Sequence, residues 1–231
     1  MTPLVRSFPV FTPVADHSLL IEFGDLIDHR IHARVMQLDR ALAAHPFTGF
    51  VEAVPAYTSL LLRFDPRSTD HAIAEQAARR LIEDVAATDA GTGLREVRVC
   101  YDDEFAPDLQ AVAKACSLTT EQVIEAHLSG QYDVFMYGFA PGYAYLAGVP
   151  ELIRMPRKSA AMRGVSAGSV FIAGQQCLVS TITMPTGWWI LGRSPTAILT
   201  GDPDKPFLFD VGDRVVFRRI TRTEFDAEAS Q

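Results

Sequence analysis

The sequence predicts an α+β N-terminal domain with the ferredoxin-like order βαββαβ, followed by a mainly-β domain. Two observations carry this. Up to about residue 101, apolar positions switch between a period of two and one of three to four, giving strand, helix, strand, strand, helix, strand. From Asp133 onward, short β-rich runs alternate with Gly and Pro turns and no long helical period appears, as in a compact barrel or sandwich. The domains are drawn at 1–104 (α+β) and 132–231 (mainly β), with a helical linker over 105–131.

Residues 17–23 (HSLLIEF) read as the first strand. Ile27, Ile31, Val35, Leu38 and Leu42 then fall at four- and three-residue steps, which predicts a one-sided helix over 25–44. Strands follow at 49–54 and 57–64, joined by Pro55-Ala56, and Asp65-Pro66 ends the second. A helix over 69–87 would bury Ile73, Ala77, Leu81 and Val85, and LREVRVCY at 94–101 completes the pattern as a strand. Residues 108–128 read as two helices broken at Ser117-Leu118, the second opened by a capping box between Thr119 and Gln122. Further β-rich runs lie at 168–174, 177–184, 188–192 and 207–220, and the polar tail after Thr221 reads as frayed.

The stretch YGFAPGYAYLAG at 137–148 packs three glycines, one proline and three tyrosines into twelve positions. Such a segment has a defined, non-repetitive shape, suited to a turn or to one wall of a groove for a ligand or a partner protein.

No run approaches the roughly 18 apolar residues of a membrane span, and the first twenty residues lack a basic start followed by an apolar block. A soluble, cytoplasmic protein is the expectation. Three cysteines, Cys100, Cys116 and Cys177, are odd in number and widely spaced, against both a disulfide framework and a clustered metal site. The formal charge of −7 opposes nonspecific attraction to nucleic acid or an anionic membrane. Between Asp133 and Pro195, however, Arg154, Arg157, Lys158, Arg163 and Arg193 face only Asp133 and Glu151, a local balance of +3 against −10 elsewhere. A basic island in an acidic chain predicts a small anionic ligand.

Several chemistries are disfavoured. The helix pair at 111–127 resembles a DNA-reading motif in outline, yet it carries Lys114 against Glu121 and Glu125, the wrong balance for phosphate contacts. His29 and His32 share a helix face without a third ligand nearby in sequence, and none of the six histidines lies in the C-terminal β domain. Ser169 lacks a nearby histidine and a G-x-S-x-G frame, and Cys177 has no obvious base. Phosphate-loop and dinucleotide fingerprints are absent, as is a lysine in the Met-Lys-Met setting of a biotin carrier. The remaining anion-capable groups are Arg157, Arg163, Arg193, Ser169, Gln176 and the indole of Trp188. Arginine forks two hydrogen bonds onto a carboxylate, carbamate or phosphate, while Ser and Gln can fix a neutral amide.

The stretch YDVFMYGFAPGYAYLAGVPELIRMPR at 132–157, Arg163, VSAGSV at 165–170, IAGQQ at 172–176 and PTGWWILGRSP at 185–195 resemble, in order and spacing, the family of 5-oxoprolinase B subunits, also called KipI or allophanate hydrolase subunit 1. YTSLLLRFDP at 57–66 and LTTEQVIEAHLSGQYDVFMYGF at 118–139 extend the likeness over nearly the whole chain. Met162 and Ser166 stand where that pattern has proline, and Cys177 opens a segment where it has Thr-Gly-Ile-Tyr-Pro.

The resemblance implies an N-terminal α+β domain and a cyclophilin-like β barrel. It also implies assembly with a KipA-like C subunit and, in the oxoprolinase setting, with a further A subunit, in a complex that uses ATP to open 5-oxoproline to glutamate or carries out related amide or urea carboxyl-transfer chemistry. No ATP-binding motif is recognisable in this chain. On this reading Arg157, Ser169 and Gln176 are assigned to catalysis, and Arg163, Arg193, Trp188, Phe139 and Tyr143 to binding a small anionic amide or lactam. The alternative implied role is a KipI-like inhibitor of a sensor histidine kinase with no chemistry of its own, for which Phe139, Tyr143 and Tyr145 would matter more than the arginines.

Overall fold

The computed structural model describes residues 7–84 and 93–229. The chain forms two compact units, residues 1–91 and 92–231, so the division falls earlier than the expected boundary near 104.

The first unit holds strands β1 (Val10–Val14) and β2 (Ser18–Glu22), helix α1 (His29–Ala44), strands β3 (Phe50–Pro55) and β4 (Ser59–Phe64), and helix α2 (His71–Asp84). Its antiparallel sheet runs β1-β2-β4-β3. Alternation in SLLIE and SLLLRF places Leu19, Ile21, Leu60, Leu62 and Phe64 on one buried face. Burying each such side chain contributes about 1.5–3 kcal/mol. Helix α1 covers that face with Val35, Leu38 and Leu42. It starts at His29 rather than 25 because the Asp28 carboxylate caps it, accepting from the N–H groups of Arg30 (2.8 Å) and Ile31 (3.2 Å).

Two corrections follow in this unit. Helix α2 turns Ala74 and Ala78 to the core and leaves Ile73 half exposed, so its packed face lies one residue on from the predicted one. The small alanines let the helix sit close to the leucine-lined sheet. Val85 lies outside the described residues. The ferredoxin-like order is also incomplete. β2, β4 and β3 take their expected places, but the position beside β2 is filled by β1, and residues 94–101 belong to the other unit.

The second unit begins with β5 (Leu94–Val99), helices α3 (Leu109–Cys116) and α4 (Thr120–Ser129), and strands β6 (Tyr132–Tyr137) and β7 (Ala144–Ala147). A 3-10 turn (Glu151–Ile153), β8 (Met162–Val165), β9 (Ser169–Ala173), β10 (Gln176–Val179), β11 (Met184–Thr186), β12 (Trp189–Arg193), β13 (Arg214–Arg219) and helix α5 (Arg222–Ala229) follow. Seven strands form one sheet in the order β12-β9-β10-β7-β6-β13-β5, with β5 parallel to β13. The two edges meet: Cys100 and Arg193 exchange backbone hydrogen bonds of 2.8 and 2.9 Å, which nearly closes the sheet into a barrel. Gly192 permits this seam, because a Cβ there would lie 2.8 Å from both the Cys100 oxygen and Val99 Cγ1.

Val97, Val99, Val134, Leu146, Val170, Ile172 and Val215 belong to the main core of this unit. α3 and α4 pack into the same core through Leu109, Val112, Val123 and Ile124, so they are part of the unit rather than a linker. Ser117 adopts a left-handed conformation (φ 58°) between them, and the Thr119–Gln122 capping box forms in both directions (3.1 and 2.9 Å). A smaller cluster on the sheet's other face joins Phe171, Leu178, Ile190 and Trp188 to Val165 and Met184 of the β8–β11 ribbon. Among the described residues no helix is long and apolar enough to cross a membrane.

Candidate functional site

The turn joining β8 to β9 is held by serines. The Ser166 carbonyl accepts from the hydroxyls of Ser169 (2.8 Å) and Ser180 (3.0 Å), and Ser180 Oγ accepts the Ser169 N–H (3.0 Å). Gly168 completes the turn at φ +81°, where a Cβ would lie 2.3 Å from the Ser194 carbonyl oxygen. Its own N–H donates to the Ser180 carbonyl (2.7 Å), and its carbonyl accepts from Ser194 (2.8 Å). This packing fixes Ser166 and Ser169 on the wall of a cleft of about 170 Å³.

Two predicted arginines line that cleft. Arg193, at the end of β12, donates its Nε–H to the Ala167 carbonyl (3.1 Å) and lies over the rings of Phe105 (5.6 Å) and Phe225 (5.8 Å). Its terminal nitrogens point no hydrogen bond at a described residue. Arg163, on β8, is exposed, and its side chain makes no hydrogen bond or ion pair with any described residue. Residues thirty positions apart thus meet in one place, because β8, β9 and β12 converge there. Two guanidinium groups with unused donors can fork onto one carboxylate. The Ser169 hydroxyl proton is already committed to Ser166, which leaves that oxygen as an acceptor and unsuited to serve as an autonomous nucleophile. Met162 and Ser166, the two positions that replace proline in the family pattern, line the same cleft.

The opposite rim is Glu104 and Phe105, residues that the charge pattern of 133–195 had no means of adding. Glu104 is ion-paired with Arg222 of α5; Arg222 also grips Asp226 (2.9 and 3.0 Å to its two oxygens) and covers the Phe105 ring at 4.6 Å. Phe225 packs on Phe105 at 4.4 Å between ring centroids. The segment after Thr221 is therefore an anchored helix and not a frayed tail.

The other predicted residues lie elsewhere. Arg157 is exposed and stacked on the Trp188 ring at 5.5 Å, outside the cleft lining. Trp188 is buried in the smaller cluster, at the end of a file of rings running Phe139, Tyr143, Tyr145, Trp188 with spacings of 5.4, 5.6 and 6.1 Å. Burial, above all, raises the Tyr143 phenol well above its ordinary range. Gln176 pairs with Ala173 at the far end of the β9–β10 hairpin, four residues along β9 from Ser169, roughly 13 Å by strand rise. Residues 138–143 are the tip of the β6–β7 hairpin, and none of them lines the arginine cleft.

Cys177 does have a histidine beside it, His127 from α4, which the sequence placed outside the β domain. The Sγ–Nε2 distance is 3.6 Å, and His127 Nδ1 lies 2.7 Å from the Tyr101 hydroxyl. Both side chains are wholly buried. Burial pushes the His127 pKa down to about 3 and the Cys177 thiol far up, so the pair is a neutral core network out of reach of substrate. His29 and His32 acquire no third ligand: among the described residues no group of three His, Cys, Asp or Glu side chains could hold a metal ion.

The chain that forms this nearly closed barrel matches a carboxyltransferase-type domain along most of its length. The chain belongs to that family: the family described as "Carboxyltransferase domain, subdomain C and D" matches residues 9–209. A Bacillus subtilis (strain 168) protein, named as the B subunit of 5-oxoprolinase, is 36% identical over 225 residues, covering 93% of this chain and 94% of that protein. The crystal structure of TTHA0988 superposes with a TM-score of 0.77 at 33% identity over 89% of this chain. This chain spans only 40% of the length of that protein. The Kluyveromyces lactis urea carboxylase superposes with a TM-score of 0.75 at 16% identity, over 94% of this chain and 22% of its own, a likeness of fold.

Proposed function

We propose that the chain is the B subunit of a 5-oxoprolinase-type complex, a non-autonomous part of an enzyme that opens the lactam of 5-oxoproline to glutamate with consumption of ATP. The observation that carries this is the convergence of Arg163, Arg193 and Ser169 on one small cleft. The cleft volume lies below the roughly 300–1,000 Å³ of sites for drug-sized ligands, which suits a compact metabolite. The two arginines hold the ligand's carboxylate, and the serine-held turn faces its amide. The site is completed by a KipA-like C subunit, and coupling to ATP, for which this chain has no recognisable motif, falls to an A subunit. Relatives named as B subunits of 5-oxoprolinase support the assignment. The test is co-purification with the neighbouring KipA-like protein, then measurement of ATP-dependent loss of 5-oxoproline once the A subunit is present. Assembly without turnover in that mixture would overturn the substrate assignment.

One observation favours a second reading, a KipI-like protein that docks a sensor histidine kinase. The Ala140 N–H bonds back to the Gly138 carbonyl (2.9 Å) across Phe139 at φ 72°, a γ-turn of the strained type, and Phe139 is 73% exposed. A strained, exposed aromatic at a hairpin tip suits insertion into a protein partner. Loss of kinase binding on Phe139→Ala, with Arg163→Ala binding normally, would identify that role.

A further inference from the structure

The cleft that contains two guanidinium groups without an ion-pair partner among the described residues also contains one carboxylate. Glu104 sits on its rim, and that carboxylate is held through one oxygen, Oε2, by Arg222. No described group bonds the other oxygen. The hold is itself braced: Arg222 is fixed by both oxygens of Asp226 and by the Phe105 ring, and Phe105 rests on Phe225. The first turn of α5 is tied by Glu224, whose Oε2 accepts from the Thr221 N–H (2.8 Å) and hydroxyl (2.9 Å).

Two arginines alone would accept any small anion. A carboxylate on the same rim changes what can enter. It repels a second negative charge, and it offers a strong acceptor that only a ligand bearing a donor, such as an amide N–H, can use. An ether or ester oxygen in that place would set lone pairs against lone pairs.

We propose that Glu104 is the specificity-determining residue of the cleft: its free oxygen accepts the ring or amide N–H of a ligand whose carboxylate is held by Arg163 and Arg193. The ligand class is a small monocarboxylate bearing an N–H beside the acid group. Arg222 is a positioning residue that aims Glu104 from the C-terminal helix. This rests on the reading that the cleft holds a lactam of the 5-oxoproline type.

The test is isothermal titration of the chain co-purified with its KipA-like partner, without the A subunit, against a matched pair, L-5-oxoproline and its lactone analogue, in which a ring oxygen replaces the N–H. The parent chain is expected to bind the lactam at least about tenfold more tightly, since a site that hydrogen-bonds an N–H rejects the analogue lacking it. Glu104→Ala is expected to bring the two affinities together, while Arg163→Ala weakens both alike. Glu104 is exposed, so its replacement leaves folding intact. Equal affinities in the parent, or a preference that survives Glu104→Ala, would overturn the Glu104 assignment and leave the cleft reading standing. Failure of the parent to bind either molecule, or binding indifferent to Arg163→Ala, would overturn the cleft reading and this inference with it.

Discussion

The Lys158 ammonium lies 2.5 Å from the Asp108 carboxylate, with both side chains nearly buried and the same Asp108 oxygen accepting the Ile190 N–H at 2.7 Å. One carboxylate thus ties the start of α3 to β12 and to the segment that follows the 3-10 turn. Removing one partner of such a pair leaves an uncompensated charge, at a cost of about 3–5 kcal/mol. Asp108→Ala should therefore lower the urea midpoint strongly, and more than Lys158→Met, because it also orphans a buried backbone donor. The double variant should lose less than the sum of the two.

Arg163 and Arg157 make a controlled comparison, since both are exposed and neither has an ion-pair partner among the described residues. Arg163→Ala should leave stability within about 0.5 kcal/mol. In the assembled complex it should cut turnover about 10²–10³-fold, the usual effect of removing one pre-placed donor. Arg157→Ala should cost about 0.5–1 kcal/mol through the lost stacking on Trp188 and leave turnover near the parent value. Urea titration and a 5-oxoproline assay read the two effects separately.

Gly168→Ala should damage the site through the backbone. The left-handed conformation costs about 1–3 kcal/mol for a residue with a Cβ, and the added carbon meets the Ser194 carbonyl, which cannot swing aside. Thermal unfolding should show the loss, and binding at the cleft should weaken as Ser166 and Ser169 shift.

The parts legible in the sequence are those set by near neighbours. The break at Ser117 and the Thr119–Gln122 box are interactions within a few residues, and both form. Strand alternation identified 94–101 as a strand but carries no information on which sheet takes it. The choice was made by non-local pairs: Arg95 with Asp213 (2.7 Å) and the seam between Cys100 and Arg193. Glu104 is not legible as a site residue for the same reason: Phe105, its neighbour in sequence, meets Arg193 only in the folded chain. Helix α5 looked like a polar tail because a single buried side chain, Phe225, and the contacts of Arg222 anchor it.

The cysteines should react in an order fixed by burial. Cys116 is partly exposed, whereas Cys100 and Cys177 are buried, and desolvation raises all three thiols above their ordinary value, Cys177 most. Iodoacetamide on the folded chain should label Cys116 first, as read by mass spectrometry of its peptides. Cys177 should be labelled only in denaturant; rapid labelling of Cys177 in the native chain would contradict its place in the core.

His127 sets an acid limit on stability. Its pKa is 6.5 in an unfolded chain and about 3 in the folded one, because burial penalises the imidazolium. Between those values the unfolded chain binds a proton that the folded chain does not, so stability rises with pH across the window and falls as pH drops from 6.5 towards 3. At about 1.36 kcal/mol per unit, lowering the pH to 4 should remove about 3 kcal/mol through this residue. His127→Gln deletes the titration while keeping a polar group opposite Tyr101. The variant should start less stable at pH 7 and show a shallower decline in urea midpoint between pH 6.5 and 4. An unchanged slope would mean that other groups govern acid unfolding.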